Sequence, residues 1–282
     1  MSRGHEVRAM RQRDTNVPRY GDLTSPEVPR ALRGATLVWP VGGLEQHGPH
    51  LPLSVDMDIP EALARQVAAE VGGLLLPGQP VSARSLPQSG GGLHFPGTVH
   101  LGGATFLAYL TDCLTALSRL GLGRLVVING HYENEGLLFE AIDGCAPGTV
   151  FPDTEVVAFS WWSLVTEDWL GEHIPRFPGW HAEHAGLTET SLMMYLRPEV
   201  VRAERPSHAS PPPAGVYRHP VDVGKISNQG VLSSATGASV ELGERLFWHL
   251  VDGIVELLGK PARDAAGQPA VSAGPGQVAA SP

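Results

Sequence analysis

Residues 124–144 read RLVVINGHYENEGLLFEAIDG. RLVVING (124–130) is a short apolar run rich in β-branched residues, which predicts a buried strand, and NEGLLFEAIDG (134–144) behind it reads as helix. His131 and Glu133 stand between the two, at the strand's carboxyl end. The same order recurs along the chain. ATLVWPVG (35–42) is β-rich and is followed, after a loop, by a helical stretch near 59–71. GATFLAYLTDCLTALSRLG (103–121) sets Leu107, Leu110, Leu114 and Leu117 on one helical face. TEVVAFSWW (154–162) reads as a further strand, and helices are expected near 187–196 and 238–258. Strands alternating with helices of this length predict an α/β protein built from βαβ units, with a parallel sheet covered on both faces.

Two stretches do not fit the alternation. SARSLPQSGGGLHFPGTVHLG (82–102) contains three consecutive glycines, and the connection 205–230 is rich in proline. Long irregular segments inside a domain are commonly lids or binding loops. Residues 1–20 are polar, and 261–282 are rich in Ala, Gly and Pro. Both are expected to be disordered tails around a single domain spanning 21–260.

The chain has 282 residues, 42% of them hydrophobic and 17% charged, as expected of a globular protein. Its formal charge of −9 argues against a nucleic-acid partner. No apolar run approaches the roughly 18 residues that span a bilayer, and the N-terminus lacks the apolar core of a secretory signal, so no membrane partner is expected. Cys113 and Cys145 are the only cysteines, which fits a reducing, cytoplasmic setting without disulfides. Lysine occurs only at 225 and 260, and neither a P-loop nor a nucleophile elbow is present, so phosphoryl transfer and serine-hydrolase chemistry lose weight.

The loop GLEQHGPHLPLSVDMDIP (43–60) carries Glu45 and His47 two apart just after the first strand, with Asp56 nine residues on. His131 and Glu133 repeat the spacing after the second. Open α/β sheets bind ligands at the carboxyl edge, where these two pairs converge. Three carboxylates and two imidazoles suit a zinc or manganese pair better than a thiolate-type structural zinc. A third cluster, GWHAEHAG (179–186), offers His181, Glu183 and His184 but matches no zinc-protease signature. Trp161, Trp162 and Trp180 read as a substrate wall. Strand alternation lets only one of Trp161 and Trp162 face the site.

EQHGPHLPL followed by Asp56, then SGGGLHFPGT, NGHYEN, WW and GWHAEH, in this order and spacing, resembles the creatininase (creatinine amidohydrolase) family. The likeness covers about residues 33–258, and GHYEN rather than GHGGN points to its creatinine-opening branch. It implies a three-layer α/β/α sandwich, assembly as a homohexamer, and two divalent metal ions per chain, zinc or manganese or both. It implies that Glu45 and His131 hold one ion, His47 and Glu133 the other, and that Asp56 bridges them. Ser89, Tyr132, Trp162, Trp180 and His181 are expected to contact or enclose a small-molecule substrate, creatinine or a related cyclic amide. His184 is the candidate acid, with Glu183 or another carboxylate orienting it and Glu133 also in a catalytic role. His181 departs from the aspartate usual in the family, and Ala185 from a glycine. The implied reaction is metal-activated hydroxide attack on the ring carbonyl of creatinine, giving creatine. The alternatives are another amidase of the family, including the peptidase branch that trims a redox-cofactor precursor peptide, and a non-catalytic metal-binding protein.

Overall fold

The strands are β1 (Thr36–Val41), β2 (Leu74–Leu75), β3 (Ser82–Ala83), β4 (His100–Leu101), β5 (Arg124–Asn129) and β6 (Glu155–Ser160). The helices are α1 (Val28–Leu32), α2 (Val55–Val71), α3 (Pro87–Gly90), α4 (Gly103–Leu117), α5 (Asn134–Gly144), α6 (Glu167–His173), α7 (Leu187–Leu196), α8 (Val223–Ile226) and α9 (Val240–Leu258). The structure is a computed structural model and describes residues 11–14, 16–145, 150–210 and 212–259. The main sheet is parallel, in the order β2-β1-β5-β6, and β3 and β4 pair separately.

The pleat divides the core in two. Leu37, Trp39 and Val41 of β1 pack with Leu110 of α4 and Leu138 of α5. Val38, Val126 and Ile128 face the other way, toward Leu63 of α2, Leu192 of α7 and Leu250 of α9. Helices therefore cover both faces, giving the three-layer sandwich. A strand covered on both sides must be apolar throughout, which is why RLVVI shows no alternation. Each such side chain contributes about 1.5–3 kcal/mol on full burial, so these two layers supply most of the stabilisation.

The helix expected near 59–71 begins earlier, at Val55. Pro60 lies inside this helix. It has no N–H for the carbonyl of Asp56, one turn back, and that oxygen is instead wedged between the ends of β1 and β5. Gly42 and Gly130 are glycines here because a Cβ at either would clash with the Asp56 carbonyl oxygen. The strand expected to run to 162 ends at Ser160, and Trp161–Leu164 form a 3-10 turn.

Part of the stretch 1–20, expected as a tail, packs on the domain. Arg11 reaches Asp252 at 2.6 Å and Glu70 at 3.1 Å while lying 4.0 Å over the Trp248 ring, and Val17 is buried. Exposed ion pairs add little, so apolar and cation–π contact must hold this segment. Residues 1–10 and 261–282 lie outside the described residues.

Candidate metal centre and active site

Register places the site. Val41 pairs with Asn129 and Asn129 with Ser160, so β1, β5 and β6 end at one level and the loops after them meet. Buried amides lock these ends together. Asn134 Nδ2 donates to Gly42 O at 3.0 Å and to Asn129 Oδ1 at 3.1 Å, and its Oδ1 accepts from Ala83 N at 2.9 Å. Asn129 Nδ2 donates to His131 O at 2.8 Å and to Ser160 Oγ at 2.9 Å. Satisfied buried networks of this kind rigidify what they join.

Glu45, His47, Asp56 and His131 converge there, each no more than 3% exposed. Asp56 offers one oxygen to each imidazole. Its Oδ2 lies 2.9 Å from His131 Nδ1, and its Oδ1 lies 3.1 Å from His47 Nε2. Glu45 Oε2 is 3.1 Å from His131 Nδ1, which completes one group of three. Glu45, His47 and His184 form a second, and the third is not one the sequence led us to expect. Glu189 of α7 stands 3.7 Å from His47 Nε2 and joins His47 and Asp56. Glu133 lies on the far side of His131, 3.2 Å from its Nε2, where its Oε1 accepts from Leu86 N at 3.0 Å and from the Ser89 hydroxyl. In this geometry Glu189, rather than the Glu133 expected there, stands beside His47. A single carboxylate in the apolar helix LTETSLMMYL was the only signal available for Glu189.

The donor set fits metal ions. His47 Nδ1 faces the Glu45 carbonyl at 3.1 Å, and donation there leaves Nε2 with a lone pair aimed at Asp56 and Glu189. His131 Nε2 faces the Ala83 carbonyl at 3.2 Å, leaving the Nδ1 lone pair toward Glu45 and Asp56. A second partner that fixes the tautomer is the usual arrangement of a metal-ligating histidine. His47 Nε2 and Glu45 Oε1 are buried with no hydrogen-bond partner among the described residues, at a cost that an ion would remove.

Electrostatics agree. Burial disfavours a charged His47, but Asp56 and Glu189 outweigh it and push the imidazole up to about 10. His131 likewise rises well above its ordinary value against burial, through Glu45 and Glu133. Burial would raise Asp56, yet the two imidazoles hold it well below the usual carboxylate range. Burial lifts Glu45 to about 7 and Glu189 to about 8. Protein alone must place protons where cations are wanted, so the cluster is built around positive charge.

A narrow pocket of about 30 Å³ opens over this centre. Trp161 is buried and meets Trp162 and Trp180 edge-on, at 5.6 and 5.4 Å between centroids. Trp162 stacks at 6.1 Å on Tyr132, which is half exposed at the mouth. Trp161 belongs to the core and Trp162 packs against it, yet both line the pocket, because a 3-10 turn rather than an alternating strand carries them. His181 also lines the pocket. Gly179, at φ +95°, leaves it room, since a Cβ there would lie 2.7 Å from the ring. Ser89 lines the pocket while bonded to Glu133.

Glu183 does not orient His184. Its Oε1 accepts from Thr188 N at 2.6 Å and Thr188 Oγ1 at 2.7 Å, and its Oε2 accepts from Ser233 Oγ at 3.1 Å. It serves as a cap for α7, whose own N-cap is Gly186. His184 packs instead against His47, with centroids 4.3 Å apart, and its Nε2 lies 3.0 Å from the Gln46 amide nitrogen. Burial, then the charge on His47, holds His184 well below its ordinary value, so the ring is neutral. Ala185 turns the chain at φ +54°, and its N–H donates to Glu189 at 2.6 Å.

Fold and centre together define an α/β/α protein with a metal-binding site at the carboxyl edge of its sheet. The family model for creatininase (creatinine amidohydrolase) matches residues 21–258, and the chain belongs to this family of hydrolases. It is 39% identical over 248 residues to the creatinine amidohydrolase of Pseudomonas putida, covering 84% of this chain and 95% of that one. It is 32% identical over 254 residues to a mycofactocin precursor peptide peptidase of Mycobacterium tuberculosis, with 85% and 90% covered. A solved mutant creatininase complexed with creatine superposes with a TM-score of 0.80 at 37% identity, over 86% of this chain and 98% of that one. Other solved creatininases include a Mn form and a mutant of Zn–Zn type, each 36% identical over the same shares, with TM-scores of 0.78 and 0.79.

Proposed function

We propose that this chain is a metal-dependent cyclic amidohydrolase that opens creatinine to creatine with two divalent ions, zinc or manganese, per chain. The observation that carries this reading is the pocket itself. It is small, walled by Trp162, Trp180 and Tyr132, and floored by the carboxylate–imidazole cluster. A flat, weakly basic ring suits stacking between such faces. Glu45, Asp56 and His131 would hold one ion, and His47, Asp56 and Glu189 the other. Bound divalent ions supply a Lewis acid for the ring carbonyl and a water acidic enough to lose its proton near neutral pH.

The chain's own residues handle orientation and protons. Glu133, fixed by Leu86 N–H and Ser89, is placed to take a proton from the attacking water. The new C–O bond forms at the carbonyl carbon, the ring C–N bond breaks, and the leaving nitrogen takes up a proton. His184 and His181 face the substrate from the opposite wall.

The test is an assay of zinc- or manganese-loaded protein on creatinine, on other cyclic amides and on a peptide. Creatinine opening is expected. Peptide cleavage without creatinine opening would favour the peptidase reading that the mycobacterial relatives suggest. Inertness toward every amide would leave a metal-binding protein. A single domain over 21–260, a homohexamer and a cytoplasmic setting belong to the same proposal. Sedimentation of a fully active monomer would overturn the hexamer.

A further inference from the structure

Gln46 sits between the ligand candidates Glu45 and His47, is 5% exposed, and has no part in the chemistry above. Its Oε1 accepts from Gly48 N–H at 3.0 Å, which settles which end of the amide is oxygen. Nε2 is therefore the donor end. It donates to Gly90 O at 2.7 Å and to Gly230 O at 2.8 Å, while His184 Nε2 stands 3.0 Å away. An amide nitrogen carries two hydrogens and accepts none. An N–H at His184 Nε2 would point at that nitrogen and its hydrogens. The workable pairing has Nε2 unprotonated, sharing an amide hydrogen in a three-centre bond.

Both carbonyls are brought there by glycine. A Cβ at Gly90 would clash with Glu45, and one at Gly230, at φ +88°, would clash with the Gln46 side chain itself. One side chain thus joins the metal-ligand loop, the glycine-rich stretch 82–102, the end of the 205–230 connection and His184.

We infer that Gln46 is a positioning residue that latches both irregular stretches to the centre and holds His184 by Nε2 as an acceptor, so that Nδ1 carries the ring proton. The inference rests on the hydrolytic reading of the site. The ring lines the pocket, and a further hydrogen bond joins it to the Gln46 backbone.

The test reads the proton directly. In zinc-loaded protein labelled with 15N-histidine, His184, assigned by difference from His184→Gln, should show an unprotonated Nε2 and a protonated Nδ1. Gln46→Glu keeps the acceptor for Gly48 but puts a second acceptor against His184. It should move the proton to Nε2 with zinc content retained. Turnover (kcat) should fall roughly ten- to a hundredfold, as expected for one lost hydrogen bond near the reacting atoms. KM should shift by less than about threefold, because substrate stacking is untouched. A protonated Nε2 in the parent, or an unchanged tautomer in Gln46→Glu, overturns the inference. Should Gln46→Glu not fold, the parent spectrum alone decides. The spectrum needs no turnover, so a protein that ignores creatinine still tests Gln46, whereas the proposed function fails in the parent assay.

Discussion

The loops after β1 and β5 and the stretch 161–186 face each other across one pocket, yet they are held by different means. The loops start from strands in fixed register, and the amides of Asn129 and Asn134 bind their first residues together. The facing stretch has no ladder. It relies on 3-10 turns, edge-to-face tryptophans, Gly179 at φ +95° and Ala185 at φ +54°. One side is held rigidly by strand register, and the other is a wall of loops that touches it chiefly at His184 and Ala185. That division matches the general pattern of chemistry held by a scaffold and selectivity held by loops.

The largest effect should come from breaking the rigid side. Asp56→Ala removes the carboxylate shared by both proposed ligand sets, so elemental analysis should find both ions lost. Activity should fall by more than the roughly 10–100-fold that loss of an outer-sphere partner costs. Glu189→Gln and Glu133→Gln then sharpen the comparison within that side. The first should cost one ion per chain. The second should keep both ions and slow turnover by about 10²–10⁴-fold, the usual share of a positioned acid or base. Loss of metal from Glu133→Gln with full loading of Glu189→Gln would reverse the assignment.

The wall is tested next. His181→Asp restores the carboxylate usual in the family and offers substrate nitrogens a charge-assisted hydrogen bond worth about 1.5–3 kcal/mol. KM for creatinine should drop by roughly one to two powers of ten, with kcat changing less. Weaker creatinine binding in that variant would mean that His181 serves a different cyclic amide. The smallest effect is expected at Ala185. A left-handed alanine costs about 1–2 kcal/mol, and glycine returns about 0.4–1 kcal/mol of that through the freer unfolded chain. Ala185→Gly should therefore raise stability in denaturant titration by about 0.5 kcal/mol. A clear loss would show that the buried methyl packs better than its backbone suffers.

The same contrast explains what could be read from sequence. RLVVI, 134–144 and 187–196 were legible because apolar runs and helical periods report burial directly. Glu45, His47, Asp56 and His131 were legible because strand ends announce the site edge. Glu189 was not. It joins the cluster only through packing of α7 against α2, and nothing near it in sequence points to Asp56. Glu183 looked catalytic from its neighbours, but its oxygens are spent on Thr188 and Ser233, which a sequence motif cannot show. The docking of Arg11 on Trp248 was missed for the same reason.

Asp56 belongs to the first turn of α2, and the rest of that helix is bolted into the core through residues such as Leu63 and Val67. Its backbone has no slack, because Gly42 and Gly130 close on it from both sides. The placing of the Asp56 carboxylate is therefore tied to the packing of the core. On the proposed metal reading, packing changes at Leu63 or Val67 are expected to alter ion affinity without touching an ion. Weakened natural variants at those positions should present first as a demand for more zinc or manganese, and supplementation should rescue them before any chaperone does.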